Sequence, residues 1–190
     1  MLEKLSEKFA GILINTGIIP EEDAEIYSYG FFQSCMMLLN VVTTLFLGII
    51  FHVIIPCIVL NMVFITLRMN AGGHHANSPL KCYVNSTIMI ASLLAIIKWI
   101  PIYPVISVIM VLISCIVNIA FAPVEAENNL LEETEKSVYR KRTILILIIE
   151  IIVFFISSFI FDKWFAETVA LGMFTESLLI IMGVTRKHSN

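Results

Sequence analysis

The chain has 190 residues, 58% of them hydrophobic and only 14% charged, where a water-soluble domain carries roughly a quarter charged residues. No aqueous core absorbs so much apolar side chain, so lipid is the solvent for most of the sequence. The formal net charge of -3 argues against a nucleic-acid partner, which calls for a basic balance.

Residues 1–19 read as a helix lying on the membrane surface. Leu2, Leu5, Phe9, Ile12 and Leu13 recur at helical spacing, with Glu3, Lys4, Ser6, Glu7 and Lys8 on the other face. Gly17 and Pro20 end it. The acids here, and the length of the apolar run that follows, speak against a cleaved secretory signal. Pro20-Glu21-Glu22-Asp23 opens the next helix, with acids in the first turn where the helix dipole favours them.

From Ile26 to Leu67 no residue carries a formal charge. One helical span needs ~20 residues, so this stretch holds two. They are predicted at about 26–50 and 53–69, with a hairpin near His52–Pro56 and His52 as a turn histidine. A short polar island follows, Arg68 to Cys82, with the loop itself at 70–80. Apolar sequence then gives spans at about 80–98 and 103–122. Lys98, Trp99, Pro101, Tyr103 and Pro104 mark the turn between them.

Residues 123–142 are the one extended hydrophilic segment. It is acidic first (Glu125, Glu127, Glu132, Glu133, Glu135) and then basic (Lys136, Arg140, Lys141, Arg142). It reads as a solvated loop with a helical piece. Spans at about 143–161 and 164–185 complete the chain. The expected fold is therefore an all-α integral membrane protein of one domain, with six transmembrane helices and an N-terminal amphipathic interfacial helix.

Six spans put both termini on one side, together with the island and the 123–142 loop. Ten Lys and Arg fall on that side: Lys4, Lys8, Arg68, Lys81, Lys136, Arg140, Lys141, Arg142, Arg186 and Lys187. Two fall on the other, Lys98 and Lys163. The positive-inside rule predicts that the termini and the island are cytoplasmic.

Cys35, Cys57 and Cys115 lie inside apolar runs and read as soft packing residues. Only Cys82 borders a polar loop, and nothing resembles a disulfide framework. Glu150 and Glu176 fall within the last two spans. A lone acid at the bilayer centre costs about 2.5–3.5 kcal/mol on insertion scales, so both are expected to face the bundle interior. Pairing with Arg68, or lining a polar route to the island, would serve either. A route would make the protein a small transporter or channel.

Ser78 is a good N-cap and Pro79 a favoured first helical residue, which places Cys82 in the first turn of the third span. A thiol there meets unsatisfied backbone N–H groups and the positive end of the dipole, both of which suit a sulfur anion. His75 lies seven residues upstream. In one straight helix that is ~10 Å of rise, too far for a hydrogen bond. The Ser-Pro break and Gly72-Gly73 allow the histidine segment to fold back over the helix start. A Cys–His pair in contact is the minimal thiol nucleophile. The alternatives are a polar loop whose histidines contact headgroups or helix ends, and a metal site. His74, His75, Cys82 and His188 offer no second ligand pair at standard spacing, so neither metal nor other cofactor is expected.

Arg68, Gly73, His75-Ala76 and Cys82 together resemble the signature of the AgrB family, the accessory gene regulator B membrane peptidases. Ala122-Pro123-Val124-Glu125, then Asn128-Asn129-Leu130 and a basic cluster, is similar to that family's loop after its fourth span. The resemblance covers essentially the whole chain. The His74-His75 doublet departs from the pattern: register assigns His75 and leaves His74 without a role.

The resemblance implies a membrane cysteine endopeptidase acting on an AgrD-like precursor of a cyclic quorum-sensing peptide. Its catalytic pair would be Cys82 and His75. Cys82 would form an acyl-thioester as the precursor's acidic tail leaves, and a Cys or Ser of the peptide would close a thiolactone or lactone. Arg140, Lys141 and Arg142 could hold that tail, although positive-inside topology accounts for them equally well. Arg68 could bind a carboxylate, steady the loop with Gly73, or snorkel. A homodimer is a family-level expectation.

Overall fold

A computed structural model describes residues 2–72, 79–124 and 132–189 of the chain, and among these all regular structure is helical. The helices are α1 (Leu2–Asn15), α2 (Ala24–Ile50), α3 (Ile54–Ala71), α4 (Pro79–Trp99), α5 (Pro104–Phe121), α6 (Glu133–Ile160) and α7 (Lys163–Ser189). A single 3-10 turn, Glu21–Asp23, leads into α2. Six of the helices are long and apolar enough to cross a membrane.

Local chemistry sets most of the boundaries. Proline occupies the first position of α4 and α5, where its missing N–H is no loss. Gly72 ends α3 with φ +75°, the left-handed exit that glycine adopts most easily. The start of α6 differs from the sequence expectation, which read 123–142 as a loop with a helical piece separate from a span beginning at Thr143. The helix already begins at Glu133, and the Glu132 backbone N–H donates to the Glu135 carboxylate at 3.0 Å. That is the reach-back half of a capping box, and it lets a charged segment start a helix well ahead of its apolar run.

The bundle is built around α7. Of its spanning window 56% is buried, against 17–28% in the other five. Val63 and Leu67 of α3, Val111 of α5, and Leu147 and Phe154 of α6 enclose Val169, Ala170 and Met173 of α7. A Cβ on Gly172 would lie 3.0 Å from Val63 Cγ1, so α7 approaches α3 as closely as small residues permit. Ser114 donates to the Met173 carbonyl at 2.6 Å and shares a 2.6 Å hydrogen bond with Ser177, stitching α5 to α7. Polarity is thus turned inward. Glu150, Thr168, Glu176 and Ser177 are buried, whereas Ile116, Ile148, Ile152 and Phe155 are exposed. Hydrocarbon provides no hydrogen bonds, so polar groups find partners inside the bundle.

Helix α1 packs along α2, with Phe9 stacked on Phe31 at a centroid distance of 4.2 Å. The assignment of faces on α1 needs one correction. Ser6, assigned to the polar face, is buried with Ala10 one turn later, and Leu5 and Ile12 are exposed. Two small residues a turn apart let the helices come close, which bulky side chains would prevent.

Candidate functional site

The polar island leaves α3 at Gly72, and Gly72 is held on three sides. Its N–H donates to the Arg68 carbonyl at 3.3 Å. Its own carbonyl accepts a short hydrogen bond from Arg68 Nη1. Its α-carbon lies against the residue that follows the Ala122-Pro123 pair. There the Val124 N–H donates to the Ala71 carbonyl at 2.8 Å, and Gly72 and Val124 form an isolated bridge. A Cβ at Gly72 would be driven into the Val124 carbonyl oxygen. Ala71, Val117, Ala122 and Ile180 close a small apolar cluster beneath this point. The island and the segment after α5, two motifs far apart in sequence, therefore share one anchorage.

Arg68 also faces α7. Its Nη1 is 3.6 Å from Glu176 Oε1. Glu176 is fully buried, and neither of its oxygens receives a hydrogen bond among the described residues. Glu150 of α6 reaches the same stretch of α3, where Thr66 Oγ1 donates to Glu150 Oε1 at 2.8 Å. Both intramembrane acids thus face the bundle interior, one paired with Arg68 and one bonded two residues before it.

Cys82 is the fourth residue of α4, in the first turn that Pro79 begins, and it is half-buried. One residue on, the Tyr83 hydroxyl shares a 2.7 Å hydrogen bond with Thr43 Oγ1 of α2. That bond ties the start of α4 to its neighbour α2. The first buried residue of α4 is Ile90, followed by Leu93 and Leu94. A cavity of about 610 Å³ opens between α1 and α2 and reaches Pro79; Ser6, Glu7, Glu25, Ser28, Tyr29 and Phe32 contribute to its lining. The N-terminal helix and the start of α4 therefore lie at the same end of the bundle.

The structure disperses the basic triplet. Arg140, Lys141 and Arg142 are consecutive in α6 and exposed, so their side chains leave the axis ~100° apart. Arg140 Nη2 donates to the Ile119 carbonyl at 3.2 Å, near the end of α5. Cys35, Cys57 and Cys115 are free thiols away from the island, and Cys57 donates to the Thr44 carbonyl. Among the described residues no group of three His, Cys, Asp or Glu lies close enough to hold a metal ion. Gly73, His74, His75 and Ser78 fall outside the described residues, as do Glu125 and Glu127.

Sequence reasoning missed Gly72 as the anchored residue and Val124 as its partner. It passed over Tyr83, which reads as one more apolar residue of a span. The pairing of Arg68 with an intramembrane acid, by contrast, was among the sequence expectations, because a charged residue in a lipid-spanning stretch needs a partner, and Glu176 is the acid it faces.

The sequence model of the family described as Accessory gene regulator B matches residues 6–182. No curated protein and no solved structure matches the chain.

Proposed function

Because the chain belongs to the Accessory gene regulator B family, whose members are membrane proteins that process quorum-sensing peptide precursors, we propose that it is a cysteine endopeptidase using Cys82 and His75. The observation that carries this reading is the position of Cys82. The cysteine that matches the family's falls in the first turn of α4, and the matching arginine, Arg68, anchors Gly72 at the end of α3. The first N–H groups of α4 have no intrahelical acceptor and favour an anion at this place.

The steps balance without a cofactor. His75 takes the Cys82 proton as sulfur attacks a backbone carbonyl of an AgrD-like precursor. It returns that proton to the leaving amine when the C–N bond breaks, so the tail departs and an acyl-thioester remains on Cys82. A thiol or hydroxyl of the peptide then attacks the thioester. The ring closes as a thiolactone or lactone, and Cys82 leaves as a thiol. Thioester exchange joins like bonds, so ring closure to a thiolactone is nearly balanced. The preceding amide-to-thioester step is uphill and is drawn forward by loss of the tail.

The cavity between α1 and α2 that reaches Pro79, three residues before Cys82, is the recess we assign to the precursor. Amphipathic α1, lying at the interface, would form one of its walls. Ten cationic residues against two support a cytoplasmic side for this end. Exposed Lys141 and Arg142 suit an acidic tail, while Arg140 is partly engaged with α5.

Co-expression with the precursor tests the reading. Cys82→Ala and His75→Ala are expected to abolish cleavage, and Cys35→Ala, Cys57→Ala and Cys115→Ala to retain it. Full cleavage by Cys82→Ala would end the proposal. A transporter would behave differently: vesicle flux would depend on Glu150 and Glu176 and ignore Cys82.

A further inference from the structure

Glu176 calls for an account. It lies at the centre of the bundle on the most buried helix, with no exposed surface. Neither of its two oxygens accepts a hydrogen bond within 3.5 Å among the described residues, although a carboxylate at such depth is costly to desolvate. Its charged neighbour is Arg68, at 3.6 Å. A buried ion pair of this kind is a poor source of stability, since apolar residues of equal volume often serve as well. What it supplies here is direction. The nitrogen that faces Glu176, Arg68 Nη1, is the one that donates to the Gly72 carbonyl. Gly72 is the last described residue before the segment that bears His75.

The rest of the environment points the same way. Thr66, half a turn before Arg68 on α3, donates to Glu150 of α6. Acids from α6 and α7 thus hold two polar side chains of the same α3 turn. Without Glu176 the guanidinium would lose its counter-charge on the bundle side and gain freedom to leave the Gly72 carbonyl for the headgroups.

We propose that Glu176 is a positioning residue for the reaction: through the Arg68 guanidinium it fixes the Gly72 carbonyl, and so sets where the His75 segment starts relative to Cys82. The inference rests on the Cys82–His75 reading given above. Glu176 contacts no reacting atom and acts only through Arg68.

The test uses the full-length protein in lipid nanodiscs with its precursor peptide. Glu176→Gln keeps the shape and removes the charge. It is expected to lower kcat by about tenfold to a hundredfold, the loss typical of a small misplacement of catalytic groups. KM should stay within about twofold, because the precursor recess is untouched. Alkylation of Cys82 by iodoacetamide should slow with kcat, while the melting temperature holds. Native kcat and alkylation rate in Glu176→Gln would overturn the inference. So would a kcat loss explained wholly by less folded protein.

Where Glu176→Gln does not fold, Arg68→Met/Glu176→Leu removes both charges together. That folded double variant is expected to be as slow as Arg68→Met alone, since the two residues act in series. An active double variant would overturn the inference. Cleavage by Cys82→Ala removes the functional reading itself, whereas an inactive Cys82→Ala beside a fully active Glu176→Gln removes only the role of Glu176.

Discussion

The two ends of the island are held in opposite ways. At Gly72 the backbone is clamped by Arg68, by Val124 and by its own left-handed conformation. At Pro79 a helix begins whose first buried residue is Ile90, and near Cys82 the Tyr83–Thr43 hydrogen bond ties it to α2. One end belongs to the tightly packed group of α3, α5, α6 and α7. The other lies along α2 beside the recess that α1 and α2 form. The contrast suits a peptide-processing site. The end from which the chain leaves toward His75 is fixed, and the end that leads to Cys82 begins at Pro79, which lines an open recess.

The contrast along α4 can be broken by paired truncations. Leu94→Ala, in the buried half, is expected to cost about 2–5 kcal/mol, read as a lowered melting temperature. Ile88→Ala, with 60% of the residue exposed, should stay within about 0.5 kcal/mol. Equal losses would mean that α4 is packed alike along its length.

Gly72→Ala tests the fixed end. A side chain at positive φ costs about 1–2 kcal/mol before any clash, and its Cβ would strike the Val124 carbonyl. Cleavage should fall further than stability alone explains, measured as turnover per folded molecule. Tyr83→Phe tests the loose end. Removing one hydrogen bond costs about 1 kcal/mol, and cleavage should drop severalfold as the first turn of α4 shifts on α2. If Tyr83→Phe proved more harmful than Gly72→Ala, the assignment of fixed and loose ends would be reversed.

The smallest effect is expected at Arg140. Its side chain is exposed and makes one hydrogen bond to the end of α5, so Arg140→Ala should change stability by about 0.5 kcal/mol or less. Its KM for the precursor should rise less than that of Lys141→Ala/Arg142→Ala, measured in the same assay.

Much of this was legible before any coordinates. Lipid requires continuous apolar helices, so the spans stand out as uncharged runs, and Pro79, Pro104 and Gly72 punctuate them for backbone reasons. Arg68 as a partner for a buried acid was likewise open to inference, because an intramembrane charge demands one. The continuity of the helical piece within 123–142 with the span after it, as one helix α6, was not. Glu133 to Arg142 has the composition of a loop, and its helical start depends on the Glu132–Glu135 cap rather than on hydropathy. Burial of Ser6 was hidden because a hydroxyl reads as polar, whereas its small size is what α2 selects. The meeting of Ala71 with Val124 joins residues with two spans between them, and no local pattern signals such a contact.

That backbone contact has a consequence for anyone exchanging parts between related proteins. The hydrogen bond from Val124 to Ala71 makes the end of α5 a structural part of the island. A chimaera that imports residues 68–82 but keeps a foreign segment at 122–124 would seat the loop on a mismatched cradle. The portable unit is discontinuous in sequence, and specificity grafts should move both pieces as one cassette.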